Sequence, residues 1–192
     1  DKTARKDEMD EKRDHGCMVC GEKLEYFQEL KETRCHYCDG LFKTDARCTS
    51  GHYVCDACHS TDAVKVIKNA CLASKETDMI ALFEKIRSHP SIPMHGPEHH
   101  GLVPGVIVAT YRNLGGHATD GMIEKAIDRG MHIPGGFCGW MGACGAALGV
   151  GNAFGVILGS TPLEPEKRAS LFRVNSEILE RFGRVDAARC CQ

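Results

Sequence analysis

Cysteine and histidine recur in this chain at spacings that suit metal binding. Four close pairs follow one another: Cys17/Cys20, Cys35/Cys38, Cys48/His52 and Cys55/Cys58. Three of them are CxxC, a gap that turns two sulfurs toward one ion. Gly21 and Asp39-Gly40 follow the first two, where small residues let backbone N–H groups curl toward the thiolates. Thiolate and imidazole in a tetrahedral set is zinc chemistry, so these eight residues predict two zinc ions. A segment as short as 17–59 depends on such ions for its folding energy. Used in sequence, Cys48, His52, Cys55 and Cys58 would have to surround one ion within 11 residues. Crossing the pairs, first with third and second with fourth, relieves that crowding and is the favoured arrangement. His59 is a spare that can replace His52.

A second group comprises Cys71, Cys138, Cys144, Cys190 and Cys191. Residues 130–159 hold ten glycines, and those around Cys138 read as a loop that admits positive φ and close ligand approach. Gly151, Gly155 and Gly159 are four apart, which clears one helix face for another backbone. Cys144 is expected at a helix start, where the dipole favours thiolate. Three readings stay open. Cys138, Cys144 and the terminal cysteines supply the thiolates of an iron–sulfur cluster such as [4Fe–4S], two of them form a redox dithiol, or all are small core residues. Between the two groups, 93–101 (PMHGPEHHG) gathers His95, Glu98, His99 and His100. His95, Glu98 and His99 are candidates for acid–base work near a thiolate; the plainer alternative is a cap on a helix start. His117 reads as a turn residue and His132 is undecided. Arg112 and Asn113 offer contacts for an anionic ligand.

Two resemblances follow from these residues. The order Cys35-x2-Cys38-x9-Cys48-x3-His52-x2-Cys55-x2-Cys58 resembles the first six ligands of a RING finger. The downstream CxxC of that finger is absent, and Cys17/Cys20 lie upstream instead, so no ubiquitin-ligase activity is implied. The stretch CGWMGACGAALGVGNAFGVILG resembles the C-terminal motif of the redox-active C_GCAxxG_C_C proteins. That resemblance implies that Cys71, Cys138, Cys144 and Cys190 or Cys191 form the redox or cluster-binding set. The whole arrangement is similar to an uncharacterised bacterial and archaeal family of unknown function, some members of which lie beside or are fused to methyltransferase-like proteins. A prokaryotic source and a partner enzyme are what that similarity implies.

The elements that must position these groups are mainly helical. Residues 1–16 form a polar tail and 17–59 a small β-containing zinc module. From 60 to 192 the pattern predicts a domain of five or six helices. Apolar residues at helical spacing mark Asp62–Ser74, Thr77–Ser88, Thr119–Arg129 (ending at Gly130) and Glu164–Phe182 (closed by Gly183). His89–Gly101 reads as a loop, and Leu102–Tyr111, interrupted by Pro104 and Gly105, as a bent helix or a strand. The chain has 192 residues, 42% of them hydrophobic and 26% charged. That is enough for a core and gives no case for global disorder. A net charge of −2 argues against a dedicated nucleic-acid binder or a polybasic membrane protein. The longest apolar stretch, 143–158, falls short of the roughly 20 residues of a bilayer span. No leader is evident, and a chain that opens on Asp1 reads as a piece of a longer one. Ligand-like CxxC spacing points to a reducing compartment, the cytoplasm. The expectation is a cytoplasmic metalloprotein whose helical domain binds a cluster or works as a redox thiol protein. A zinc-held adaptor for a partner enzyme is the alternative, and small-molecule substrate and oligomeric state stay open.

Overall fold

The computed structural model describes residues 17, 20, 22–36, 40–89, 91–187 and 190–191, with the backbone alone at 57–62. The expected polar tail, Cys38 and the side chains of Cys58 and His59 lie outside the described residues. Two units make up the chain, Asp1–His59 and Ser60–Gln192.

In the first unit, strand β1 (Leu24–Arg34) pairs antiparallel with β2 (Leu41–Cys48). Leu24 faces Cys48 and Tyr26 faces Ala46; after a break in register Lys31 faces Thr44. Residues 27–30 therefore stand against a single residue of β2 as a wide bulge, which re-aims a strand. The Lys31 ammonium lies 3.7 Å from the Phe27 ring centre and the Arg47 guanidinium 5.2 Å from it. Arg47 also donates to the Glu25 carboxylate at 2.8 Å. Two strands alone rarely hold together in water, so the stability of this hairpin must come from its ends.

Helix α1 (Asp56–Ala73) begins six residues before the expected Asp62, directly after Cys55. Ala63, Ile67 and Cys71, four apart, are buried on one face. Helix α2 (Met79–Arg87) is capped by Asp78, whose carboxylate accepts from the N–H groups of Ile80 and Ala81. Helix α3 (Glu98–Asn113) starts inside the segment expected to be loop and runs straight through Pro104 and Gly105. Helix α4 (Asp120–Met131) is capped by Thr119 and continues past Gly130. The five-residue α5 (Phe137–Met141) follows, then α6 (Gly145–Ile157) and α7 (Pro165–Phe182). The described residues thus form a mainly helical structure with a small two-stranded sheet, as expected, with seven helices, the short α5 being the one beyond the five or six anticipated.

Helix α3 is the centre of the second unit and packs against α2, α4 and α6. Its backbone meets both larger neighbours closely. Proline has no N–H, so the His100 carbonyl, four residues earlier, loses its helical partner. That carbonyl lies against Gly130 of α4, close enough that a side chain there would overlap it. On the opposite flank the His100 ring covers Gly145 of α6, whose added methyl would sit 2.7 Å from the ring atoms. Gly149, one turn on, faces Pro104 in the same way. Gly130 lies in the last turn of α4, one residue from its end, where only a bare backbone admits the His100 carbonyl. Of the expected glycine stripe, Gly151 and Gly155 face α7 at Asn175 and Leu171, whereas Gly159 ends the helix turn with φ +60. Arg112 is a structural residue and not an open anion contact. Its guanidinium donates to the Ser74 carbonyl at 2.9 Å and pairs with Asp120 at 2.5 Å, while Asn113 donates to the Glu76 carbonyl at 2.8 Å. Among the described residues no helix is long and apolar enough to cross a membrane.

Candidate metal and thiol sites

The ends of the hairpin converge on one group. The ligand atoms of Cys17, Cys20, Cys48 and His52 all lie within 4.8 Å of one another. His52 Nδ1 is 3.3 Å from Cys20 Sγ and 3.5 Å from Cys48 Sγ, and the latter two sulfurs are 3.9 Å apart. Ligands bound tetrahedrally at about 2.0–2.3 Å stand roughly 3.3–3.8 Å from each other, so this donor set has the size of a single-ion site. Local backbone geometry explains how it arises. Cys17 N–H donates to the Glu22 carbonyl at 2.7 Å, Cys48 N–H to the His52 carbonyl at 2.9 Å, and Gly51 takes the positive φ that the second turn requires. Burial alone would raise the Cys48 thiol; the N–H groups of His52 and Ser50 and the thiols of Cys17 and Cys20 outweigh it and hold the group below its ordinary value. The site thus combines the first and third sequence pairs.

The second pair contributes Cys35, whose N–H donates to the carbonyl of Gly40, five residues on, at 2.9 Å, as that of Cys17 does to Glu22. Cys55 N–H donates to Cys35 Sγ at 3.4 Å, and both cysteines are buried. Cys35 therefore stands beside the fourth pair. Burial, followed by the charges of Asp56, Cys55 and Cys35, raises the Tyr53 phenol next to them.

In the second unit four of the five remaining cysteines are near enough to influence one another electrostatically: Cys190 feels Cys138, Cys191 and Cys144. Cys191 accepts the Gly96 N–H and feels Cys144 and Cys138. Burial first, and these neighbours after it, push the Cys190 thiol far up; burial likewise raises Cys191 against the opposing Gly96 bond. Cys138 reaches the group from α5, which is bracketed by Gly136 at φ +80 and Gly142 at φ +65. Left-handed backbone on both sides turns the chain sharply around the exposed Cys138. Cys144 is buried at the N-cap position of α6, as its place in the sequence led one to expect. These four sulfurs do not make a group as tight as that of the first unit. Cys71 is not brought to them. It is buried in the core beside Gly105, and burial, eased by the Arg112 charge, pushes its thiol up to about 12.

The histidine segment borders this group through Gly96. Glu98 is fully buried (0% exposed), with its carboxylate folded against Gly96. His95 is half-buried. His99 donates from Nε2 to the Pro93 carbonyl at 3.0 Å, and His100 from Nδ1 to the Ile133 carbonyl at 2.9 Å. A carbonyl only accepts, which assigns each tautomer. His99 thus ties the loop to α3. His132 does the same at the end of α4, donating to the Asp128 carbonyl at 2.7 Å.

Burial lowers the His99 pKa, against hydrogen bonds that raise it. The folded protein resists a proton that the unfolded chain takes near pH 6.5. Stability from this source is complete above about pH 6.5 and declines as pH falls through and below it. Denaturant midpoints measured from pH 7.5 to 5 are expected to fall more steeply in the natural chain than in His99→Gln. Equal slopes would exclude the effect.

The described residues define a mainly helical protein whose first unit carries a group of three cysteines and one histidine that could hold a metal ion. The chain belongs to the DUF5714 family of unknown function, whose family model matches residues 67–192. That span includes the histidine segment, Cys138, Cys144, Cys190 and Cys191, and lies outside the cysteine–histidine group of the hairpin. No curated protein and no solved structure matches the chain. Three features escaped the sequence reading: α5, the Gly96–Cys191 contact and the dual packing of His100. The glycines at 136 and 142 flank Cys138 on either side and were a usable signal for the first.

Proposed function

We propose that the chain is a cytoplasmic metalloprotein in which a structural zinc module precedes a helical domain that binds an iron–sulfur cluster. In the module, Cys17, Cys20, Cys48 and His52 hold one zinc ion, and Cys35 and Cys55 with Cys38 and Cys58 hold a second, giving a cross-braced pair. In the helical domain, Cys138, Cys144, Cys190 and Cys191 are the cluster ligands. What supports this reading is that Cys138 on α5, Cys144 at the α6 N-cap and the C-terminal Cys190 and Cys191 are near enough to perturb one another's ionisation. The donor chemistry fits, because four thiolates are the usual ligand set for such clusters, and a looser group than a single-ion site suits a ligand with several irons. When bound, the cluster supplies electron transfer or a Lewis-acidic iron. The chain's own part is to shield it, with Cys144 buried, and to donate the Gly96 N–H to Cys191, a bond that tunes a metal-bound sulfur. Protein partners and any small-molecule substrate meet the site from the side where Cys138 is exposed.

Anaerobic treatment of the full chain with iron and sulfide tests the reading. Visible charge-transfer absorption is expected, lost in Cys144→Ser with zinc content unchanged. Colourless protein that retains its zinc would favour a zinc-held adaptor for a partner enzyme.

A further inference from the structure

The three cysteines of the hairpin site differ in access. Cys48 is fully buried and Cys17 nearly so (0% and 7% exposed), whereas Cys20 is exposed. A small oxidant in solution therefore meets Cys20 first. Cys20 Sγ lies 3.9 Å from Cys48 Sγ. A disulfide needs about 2.05 Å, so the two sulfurs must close by roughly 1.9 Å, which a turn residue on the surface can supply. Cys48 is the fixed partner. It ends β2 and accepts the His52 N–H at 3.1 Å, a bond that needs no ion. Cys20 stands four residues before Leu24, and Leu24 faces Cys48 across the hairpin. A bond between these two sulfurs ties the same two chain ends that an ion would tie.

We infer that Cys20 and Cys48 form a redox switch on this site, with Cys20 as the sensing thiolate and a hydroperoxide as the oxidant. This rests on reading Cys17, Cys20, Cys48 and His52 as the holders of one zinc ion. With hydrogen peroxide, the Cys20 thiolate attacks one oxygen and the O–O bond breaks. Cys20 becomes a sulfenic acid and hydroxide leaves. The Cys48 thiolate then attacks the Cys20 sulfur, forming the S–S bond and expelling a second hydroxide. Each hydroxide takes a proton from solution, giving two waters. Two thiolates give up two electrons in all, and one peroxide accepts them. Cys17 and His52 are the donors that remain at the site, too few for a tetrahedral set, so the ion is released while the hairpin ends stay joined. Oxidation thereby exchanges a metal-held hairpin for a covalently held one, and a dithiol reverses it.

The test treats the zinc-loaded full chain with hydrogen peroxide and reads released zinc with a chromogenic chelator. Acid quenching, alkylation, digestion with trypsin and chymotrypsin and tandem mass spectrometry then map the cross-links. Cleavage after Tyr53 parts Cys48 from Cys55, and fragmentation between Met18 and Val19 parts Cys17 from Cys20. At least one zinc per chain is expected to leave in step with a Cys20–Cys48 cross-link, and a dithiol should restore its uptake. Limited proteolysis within residues 22–48 should be several-fold slower in the oxidised chain than in reduced chain stripped by a chelator. A dominant Cys17–Cys20 or Cys17–Cys48 bond would overturn the switch, as would zinc that leaves with no cross-link among these three cysteines, or zinc that stays bound under peroxide. The natural chain alone decides the matter, so no variant has to fold. Zinc content that does not fall in Cys48→Ala removes the ion site itself. A zinc content that does fall there, with no Cys20–Cys48 cross-link in the natural chain, removes the switch and leaves the ion site.

Discussion

Cys48→Ala is expected to deprive the first unit of its proposed ion and, with it, of its fold. Cys48 is buried at the open end of the hairpin, opposite Leu24. Its sulfur lies 3.9 Å from Cys20 and 3.5 Å from His52 Nδ1, and it accepts the His52 N–H at 3.1 Å. A structural zinc site contributes about 10–16 kcal/mol of binding free energy, comparable with the about 5–15 kcal/mol that holds an ordinary domain folded. A two-stranded sheet cannot replace it. Metal analysis should show at least one zinc fewer per chain, and limited proteolysis should cut within residues 17–59 while 60–192 survives. Undiminished zinc in Cys48→Ala would refute the assignment. His52→Ala is expected to behave alike, and its retention of metal would point to His59 in its place.

The second large effect is expected far from any sulfur. Gly130→Ala places a methyl into the His100 carbonyl group, whose carbon would be 2.6 Å away. The obstacle is backbone on a central helix and cannot swing aside, so α3 and α4 must separate. Overpacking of this kind costs about 3 kcal/mol, or a fall of roughly 10 °C in melting temperature. Gly139→Ala is the control. It lies in α5 with nothing within 4 Å of the added methyl, so it should be neutral or slightly stabilising. Thermal unfolding of both variants settles the comparison, and equal melting temperatures would mean that α3 and α4 are not in this contact.

The cysteine pairs show how far sequence spacing reaches. CxxC announces that two sulfurs share a direction, but which pairs meet depends on the hairpin, because β1 and β2 bring Leu24 and Cys48 to one end. Periodicity located α2, α4 and α7 within a few residues, since each keeps its apolar positions on one face. It left α3 open between a bent helix and a strand, and its first turn was read as loop, for a physical reason. Pro104 and Gly105 break a helix in isolation, yet here the carbonyl that Pro104 leaves without a partner lies against Gly130, and Gly105 admits Ile127. Cys71 shares only its residue type with the other thiols; its helix position, four after Ile67, marks it as core. Cys190 and Cys191 are adjacent in sequence, which does not reveal that their surroundings differ, Gly96 donating to Cys191 alone.

His100 serves two helices at once, its carbonyl on Gly130 and its ring on Gly145. The two contacts constrain sequence drift differently. A relative that acquires a side chain at 145 must also have lost the imidazole, whereas one at 130 requires the two helices to move apart, because every residue at 100 keeps the carbonyl.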